Sequence, residues 1–260
     1  MMASAHAEPH TVDELYEIAA GETVEVVWDV LSAALSRRGF PRAVYGVTTG
    51  GDRDDFGRPD QLTALHNMPA EWADAMIRER LFERSPALHW ARRNTGMMPW
   101  SRLPKGIVGG PLAKLNARHG VTAGICISFR PTSLGDRALL CLISDPDAPQ
   151  GRVNLAWERH GREIEALAQV AHLRIGSLPR QPLGATLNRR HCEVLGLIGA
   201  GLSVAETAAR VGRTPKAVEK RLAEARRVLN AGSTAEAVVR AADLNLISVF
   251  GGPGQARTAA

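Results

Sequence analysis

Between residues 187 and 247, helix-start and helix-stop signals follow one another so closely that only short helices fit between them. Leu187, Val194, Leu195, Leu197 and Ile198 fall on one side of a helix of period 3.6 over residues 187–200, and Gly201 ends it. Ser203 and Glu206 have the spacing of a capping box, in which each side chain satisfies a backbone N–H at the other position. They open a second helix whose inner face carries Val204, Thr207, Ala208 and Val211. Gly212 stops that helix. Thr214 restarts the chain as an N-cap, with Pro215 at the first helical position, where its missing N–H does no harm. A third helix runs over residues 215–229. A further capping box, Ser233 with Glu236, opens a fourth helix carrying Ala237, Val238, Ala241, Ala242 and Leu244. Short helix, glycine turn and longer helix, in that order, predict a helix-turn-helix.

The third helix separates its faces. Ala217, Val218, Leu222, Ala225 and Leu229 turn inward and leave Lys216, Lys220, Arg221, Arg226 and Arg227 to solvent. Residues 187–250 hold ten Lys and Arg against six Asp and Glu, a net +4. Arg257 adds one more, so the chain's total of +5 leaves residues 1–186 neutral. A cationic surplus confined to one small helical segment suits phosphate binding. Any soluble bundle can present one basic face, but here caps, turn and charge agree on DNA, with Thr214, Lys216, Lys220, Arg221 and Arg227 as contact residues.

The runs Glu193-Val194-Leu195, Gly201-Leu202-Ser203, Glu206-Thr207-Ala208, Thr214-Pro215-Lys216-Ala217-Val218 and Glu236-Ala237-Val238 resemble the LuxR-type helix-turn-helix over nearly all of residues 187–247. The family places a proline near Arg189, an acidic residue at the His191 position and Lys-Leu-Gly where this chain has Val228-Leu229-Asn230. The resemblance implies a transcriptional regulator that reads double-stranded promoter DNA as a homodimer meeting two half-sites.

At 260 residues, 45% of them apolar, the chain has room for one medium and one small domain. Cys126, Cys141 and Cys192 are odd in number and lack CxxC or Cys/His spacing, so no disulfide framework or zinc site is expected and the thiols should be reduced. No apolar run approaches the roughly 20 residues of a membrane helix, and the N-terminus lacks a signal-peptide pattern; the expected location is the cytoplasm.

In chain order, residues 1–10 read as a frayed arm and 251–260 as a loose tail. A helix is predicted over residues 23–38, with Val24, Val27, Trp28, Leu31, Ala34 and Leu35 on one face and Gly39 ending it. Strands follow at 43–49 and 62–66 around a turn-rich run at 50–55. Helices are expected from Pro69 to residue 82, from Pro86 to residue 93 and over 111–119. Residues 121–129 and 137–144 form the clearest strand pair, and a long helix over 153–175 covers it. The fold class is therefore α+β: an α/β/α sandwich with a central antiparallel sheet in residues 1–178, a Pro- and Gly-containing linker at 179–186, and a small all-α four-helix domain at 187–250.

Met68, Trp72, Met76, Met97, Met98 and Trp100 supply adaptable apolar surface near the sheet, suited equally to a core or to a small-molecule pocket. The spacing of Trp72, Pro86, Trp100 and Gly124, with Met68-Pro69 leading into the Trp72 helix, resembles the autoinducer-binding domain of LuxR-like quorum-sensing regulators over most of residues 20–175. The resemblance implies a ligand site of Met68, Trp72, Met76, Ser85, Trp100 and Gly124. In it Trp100 donates its indole N–H to the lactone carbonyl of an acyl-homoserine lactone and Trp72 packs on the lactone ring. Family members carry tyrosine at the Met68 and Met76 positions, and at Ser85 an aspartate that accepts the ligand amide. A buried donor without its charged acceptor loses about 1–3 kcal/mol, roughly ten- to a hundredfold in affinity. Acyl-homoserine lactones should bind poorly, and the pocket should either hold a different small apolar signal or be filled by its own side chains.

Ser128, Ser144 and the scattered histidines form no nucleophile elbow or metal spacing, and Gly109-Gly110-Pro111 is too short for a phosphate loop, so neither catalysis nor a cofactor is expected. A phosphoacceptor domain needs a strand-borne aspartate with an acidic pair, whereas Asp52, Asp54 and Asp55 lie in a Gly-rich turn. The expected function is a LuxR-type regulator controlled by a small apolar signal. The alternative is a ligand-independent regulator governed by a protein partner or by its expression level.

Overall fold

The computed structural model describes residues 11–48, 62–104, 110–131, 137–181 and 186–248; the expected arm, tail and acidic turn at 50–55 lie outside them. Two helices open the chain, α1 (Thr11–Ala20) and α2 (Val24–Arg37). In α2 the Thr23 hydroxyl accepts the Val26 N–H at 3.3 Å, and the predicted stripe from Val24 to Leu35 is buried. No helix was expected at α1, because its buried side is only Glu14 and Ile18. What holds it is charge: Arg38, whose side chain is 0% exposed, meets Glu14 at 2.6 Å and Glu163 at 2.8 Å, and Arg37 meets Glu14 at 2.6 Å. Arg38 also donates to the Ala34 carbonyl and the Thr11 hydroxyl, so the buried guanidinium is paired on every side that matters for its desolvation.

The strands are β1 (Arg42–Thr48), β2 (Leu62–His66), β3 (Gly96–Pro99), β4 (Gly124–Ser128) and β5 (Arg137–Ile143), in a five-stranded sheet of order β2-β1-β5-β4-β3. The pairs β1–β5, β4–β5 and β3–β4 are antiparallel. Strand β3 was missed, since four residues ending in proline carry too little alternation to signal an edge strand. Between β2 and β5 lie α3 (Ala70–Arg78), α4 (Pro86–Ala91) and α5 (Pro111–Arg118), and after β5 comes α6 (Gln150–Ser177). The helix expected from Pro69 to residue 82 instead ends at Arg78. Arg80 adopts a left-handed conformation (φ 51°), and the chain re-enters as a short 3-10 turn, Leu81–Arg84.

Alternation sorts the sheet's two faces. Tyr45 points to α6, its hydroxyl 2.9 Å from His172 Nδ1, and the His172 ring stacks on Phe129 with centroids 4.3 Å apart. Helices α1 and α2 pack with α6 on this side. Val44 and Ile143 face the other way, into a cluster with residues of α3 and α5, while Cys126 and Leu139 meet α4.

Among the described residues, 178–181 and 186–248, with 62–63, form a second compact unit. Its helices are α7 (Arg189–Gly199), α8 (Val204–Arg210), α9 (Pro215–Val228) and α10 (Thr234–Asp243). They bury Leu187, Val194, Leu195, Ala208, Val218, Leu222, Ala225, Leu229, Ala237, Val238, Ala241 and Leu244, close to the inward faces read from periodicity. Among the described residues no helix is long and apolar enough to cross a membrane.

Candidate functional site

In the first unit, the face of the sheet toward α3–α5 is less well sealed than the face toward α6. Ala43, Tyr45 and Val47 are buried, whereas Arg42, Val44 and Gly46, alternating with them, are half-buried. Cys141, paired with Val44 at the centre of the sheet, is half-buried too. Thr48, Leu139 and Ile143 on the same face are buried, so the incomplete cover, the recess, is confined to the middle of β1 and β5.

Five of the six expected ligand residues are brought together on this face. Met68 and Trp72 are buried in one apolar cluster with Leu115 and Ile143, and half-buried Met76 and Trp100 pack against it. Gly124 lies under the Trp100 indole. A Cβ there would come within 2.8 Å of the ring and 2.5 Å of the Leu142 carbonyl oxygen, so only glycine allows the ring this close. Gln150, at the start of α6, fixes Gly124 by accepting its N–H at 3.3 Å and donating to its carbonyl at 3.1 Å. Ser85 is the half-buried N-cap of α4, and its side chain makes no cap hydrogen bond.

Three polar residues in this region were not singled out from the sequence. The Trp72 indole N–H donates to Asn116 Oδ1 at 3.0 Å, and the Trp100 indole N–H donates to Cys126 Sγ at 2.9 Å. Cys141 lies directly opposite Cys126 with the sulfurs 3.8 Å apart. Burial pushes the Cys126 thiol well above its ordinary value, although the Trp100 N–H opposes the shift. Nothing in an isolated asparagine on a helix or a cysteine in an apolar strand flags these pairings.

In the second unit each of the four helix starts carries a side-chain cap. Asn188 and His191 form a capping box, which explains how a histidine serves at the start of α7. Ser203 and Glu206 form the predicted box of α8, and bonds from Ser203 hold the Glu206 carboxyl below its usual range. Thr214 caps α9. At α10 the Ser233 hydroxyl accepts the Glu236 N–H, but the Glu236 carboxylate takes the Gly232 N–H at 2.8 Å; this departs from the reciprocal box read in the sequence. After α9, Asn230 adopts φ 51°, and the Ala231 N–H reaches the Arg226 carbonyl at 2.8 Å, so asparagine serves where glycine is usual. Of the DNA-contact residues expected, Thr214, Lys216, Lys220 and Arg227 are exposed and Arg221 is half-buried. Beside them a surface groove of about 450 Å³ is lined by Ala208, Ala209, Gly212, Arg213, Thr214 and Ala217.

The sequence profile of the autoinducer binding domain matches residues 23–175. The chain belongs to the autoinducer-binding-domain family. A relative in Rhodopseudomonas palustris, the HTH-type quorum sensing-dependent transcriptional regulator RpaR, is 25% identical over 205 residues, 77% of this chain and 81% of RpaR. CepR2 of Burkholderia cenocepacia, described as an N-acylhomoserine lactone dependent LuxR family transcription factor, shares 18% identity and a TM-score of 0.51 over 63% of this chain and 92% of its own, which is a likeness of fold. Escherichia coli SdiA matches 92% of this chain and 98% of its own with 18% identity and a TM-score of 0.46. RpaR and CepR2 are transcriptional regulators rather than enzymes.

Proposed function

We propose that this autoinducer-binding-family chain is a cytoplasmic DNA-binding transcriptional regulator of the LuxR type, acting as a dimer on promoter DNA under the control of a small apolar signal. The observation that carries the DNA reading is helix α9. Its exposed Lys216, Lys220 and Arg227 sit just beyond a glycine turn from α8, in a segment of net charge +4. Small residues at the turn leave backbone accessible in the groove beside Thr214, which suits close approach by a phosphate chain. Residues 1–178 and 187–250 are the sensory and DNA-binding parts, joined at 179–186. Two copies would present two α9 helices to successive major grooves, one helical turn apart.

The signal reading rests on the recess over β1 and β5 and on Met68, Trp72, Met76 and Trp100 around it. A specific observation favours a second reading, in which the sensory part works without a signal. Both indole N–H groups are already bonded inside the protein, to Asn116 and Cys126.

Lys220 and Arg221 changed together to Ala should weaken promoter binding at fixed salt by at least tenfold and reduce its salt dependence, with the helical circular dichroism unchanged. Equal binding by a folded double variant would refute the assignment of α9 to DNA.

A further inference from the structure

Cys126 and Cys141 face each other across β4 and β5, and the hydrogen-bond pattern of the sheet says how closely. Phe129 and Ala138 lie three positions farther along the same register, and the Phe129 N–H donates to the Ala138 carbonyl at 3.1 Å. Opposed residues alternate between hydrogen-bonded and non-hydrogen-bonded pairs, so three steps away Cys126 and Cys141 are a non-hydrogen-bonded pair. In such pairs the Cα atoms approach to about 4.5 Å and the side chains stand nearest. That spacing falls within the range a disulfide spans without backbone movement. The sulfurs are 3.8 Å apart, on the face toward the recess, and need only side-chain rotation to reach the roughly 2.0 Å of a bond.

We infer that Cys126 and Cys141 are a reversible dithiol modification site, closed to a cross-strand disulfide by a hydroperoxide that reaches the partly exposed Cys141. Cys141 keeps accessible surface and is the attacking group; Cys126 has none. The Cys141 thiolate attacks the O–O bond, becomes a sulfenic acid, and releases an alkoxide that takes up a proton and leaves as the alcohol. The Cys126 sulfur then displaces hydroxide from Cys141, its own proton completing a molecule of water. Two thiols and one hydroperoxide become one disulfide, one alcohol and one water. Burial pushes the Cys126 thiol well above its ordinary value, which leaves Cys141 as the attacking group, and the resolving step rests on the 3.8 Å separation of the two sulfurs.

The disulfide acts on the candidate signal site through Trp100, because Cys126 Sγ is the acceptor of its indole N–H. Drawing that sulfur toward β5 weakens the bond and frees the ring that lies on Gly124. This consequence rests on the sensory reading proposed above, whereas formation of the bond does not.

The full chain is treated with hydrogen peroxide, alkylated, digested and mapped by mass spectrometry, with tryptophan emission recorded before and after. The expected result is a fall in free thiols from three to one. One peptide should join Cys126 to Cys141 and Cys192 should remain alkylated; reduction with dithiothreitol should reverse both the link and a shift in tryptophan emission. Cys141→Ala should abolish the link and the emission shift together. Three alkylated cysteines in folded, peroxide-treated protein, or Cys141 driven to sulfinic acid without a link, would overturn the site. A link with no change in emission would overturn the action on Trp100 and leave the DNA and signal readings to their own tests.

Discussion

The Trp72 indole N–H donates to Asn116 Oδ1 at 3.0 Å and ties α3 to α5 across the candidate site. The resemblance gives the lactone carbonyl to Trp100 and only ring packing to Trp72, so a ligand acceptor would reach this donor only by displacing Asn116, an exchange of one neutral acceptor for another that gains little. Asn116→Ala should therefore destabilise the unliganded protein by about 1–3 kcal/mol, since it leaves a buried donor unmet. Acyl-homoserine lactones should raise its melting temperature more than that of the parent. Identical ligand-induced shifts in the two proteins would show that the signal does not use the Trp72 N–H.

Ser85 stands half-buried at the start of α4 with no bond to the helix's free N–H groups. An aspartate there would gain from the helix dipole and would supply a charged acceptor. Parent protein should bind acyl-homoserine lactones weakly or not at all, and Ser85→Asp should improve binding about tenfold if the recess is open, by analogy with charge-assisted hydrogen bonds. If side chains fill the recess, the variant should lose stability and gain no binding. Calorimetry over a panel of acyl-chain lengths separates the outcomes, and tight binding by the parent would contradict the prediction.

Gly124 is held by Gln150 on its backbone and by the Trp100 ring above it. Gly124→Ala puts a methyl group within 2.5 Å of the Leu142 carbonyl oxygen, which belongs to backbone and cannot swing away. The cost should be about 1–3 kcal/mol of overpacking, with Trp100 displaced from Cys126. Thermal melts and the tryptophan emission spectrum read the two effects, and a parent-like spectrum would show that Trp100 does not depend on Gly124.

Burial alone would raise the Glu14 carboxyl, but hydrogen bonds from Arg38 and Arg37 and their positive charge hold it below its usual 4.5. A carboxyl depressed in the folded state contributes stability above its unfolded value and loses it as pH falls through the folded value. Glu163, bonded to Arg38, is lowered as well. The first unit should therefore melt at lower temperature as pH falls from 4.5 downward. Glu14→Gln should flatten that dependence while lowering stability at neutral pH by about 3–5 kcal/mol, because Arg38 stays buried with less charge beside it. A melting curve for Glu14→Gln as steep in pH as the parent's would refute the role of this cluster.

Sequence by itself determined the helical framework of the second unit. A hydroxyl or amide at Asn188, Ser203, Thr214 or Ser233 bonds to a backbone N–H three residues ahead, and glycines at 201 and 212 end helices through bonds within the same turn. Such interactions span too few residues for the rest of the fold to alter them. The buried stripe of α2 and the strand pair β4–β5 were readable for the same reason, because periodicity is a local property.

Tertiary structure alone decided what has no local expression. Helix α1 exists because Glu14 finds Arg38 from 24 residues away, and a buried charge in a helix stripe reads as a break until its partner is in place. In the candidate site, the membership of Met68, Trp72, Met76 and Trp100 follows from apolar character near a sheet. The bonds that occupy their polar ends join residues 44 positions apart for Trp72 and Asn116, and 26 apart for Trp100 and Cys126. Which donor meets which acceptor over such distances depends on strand register and on how α3 and α5 settle on the sheet. Chain neighbours cannot encode that, since the directional bonds form only after apolar burial has brought the elements together.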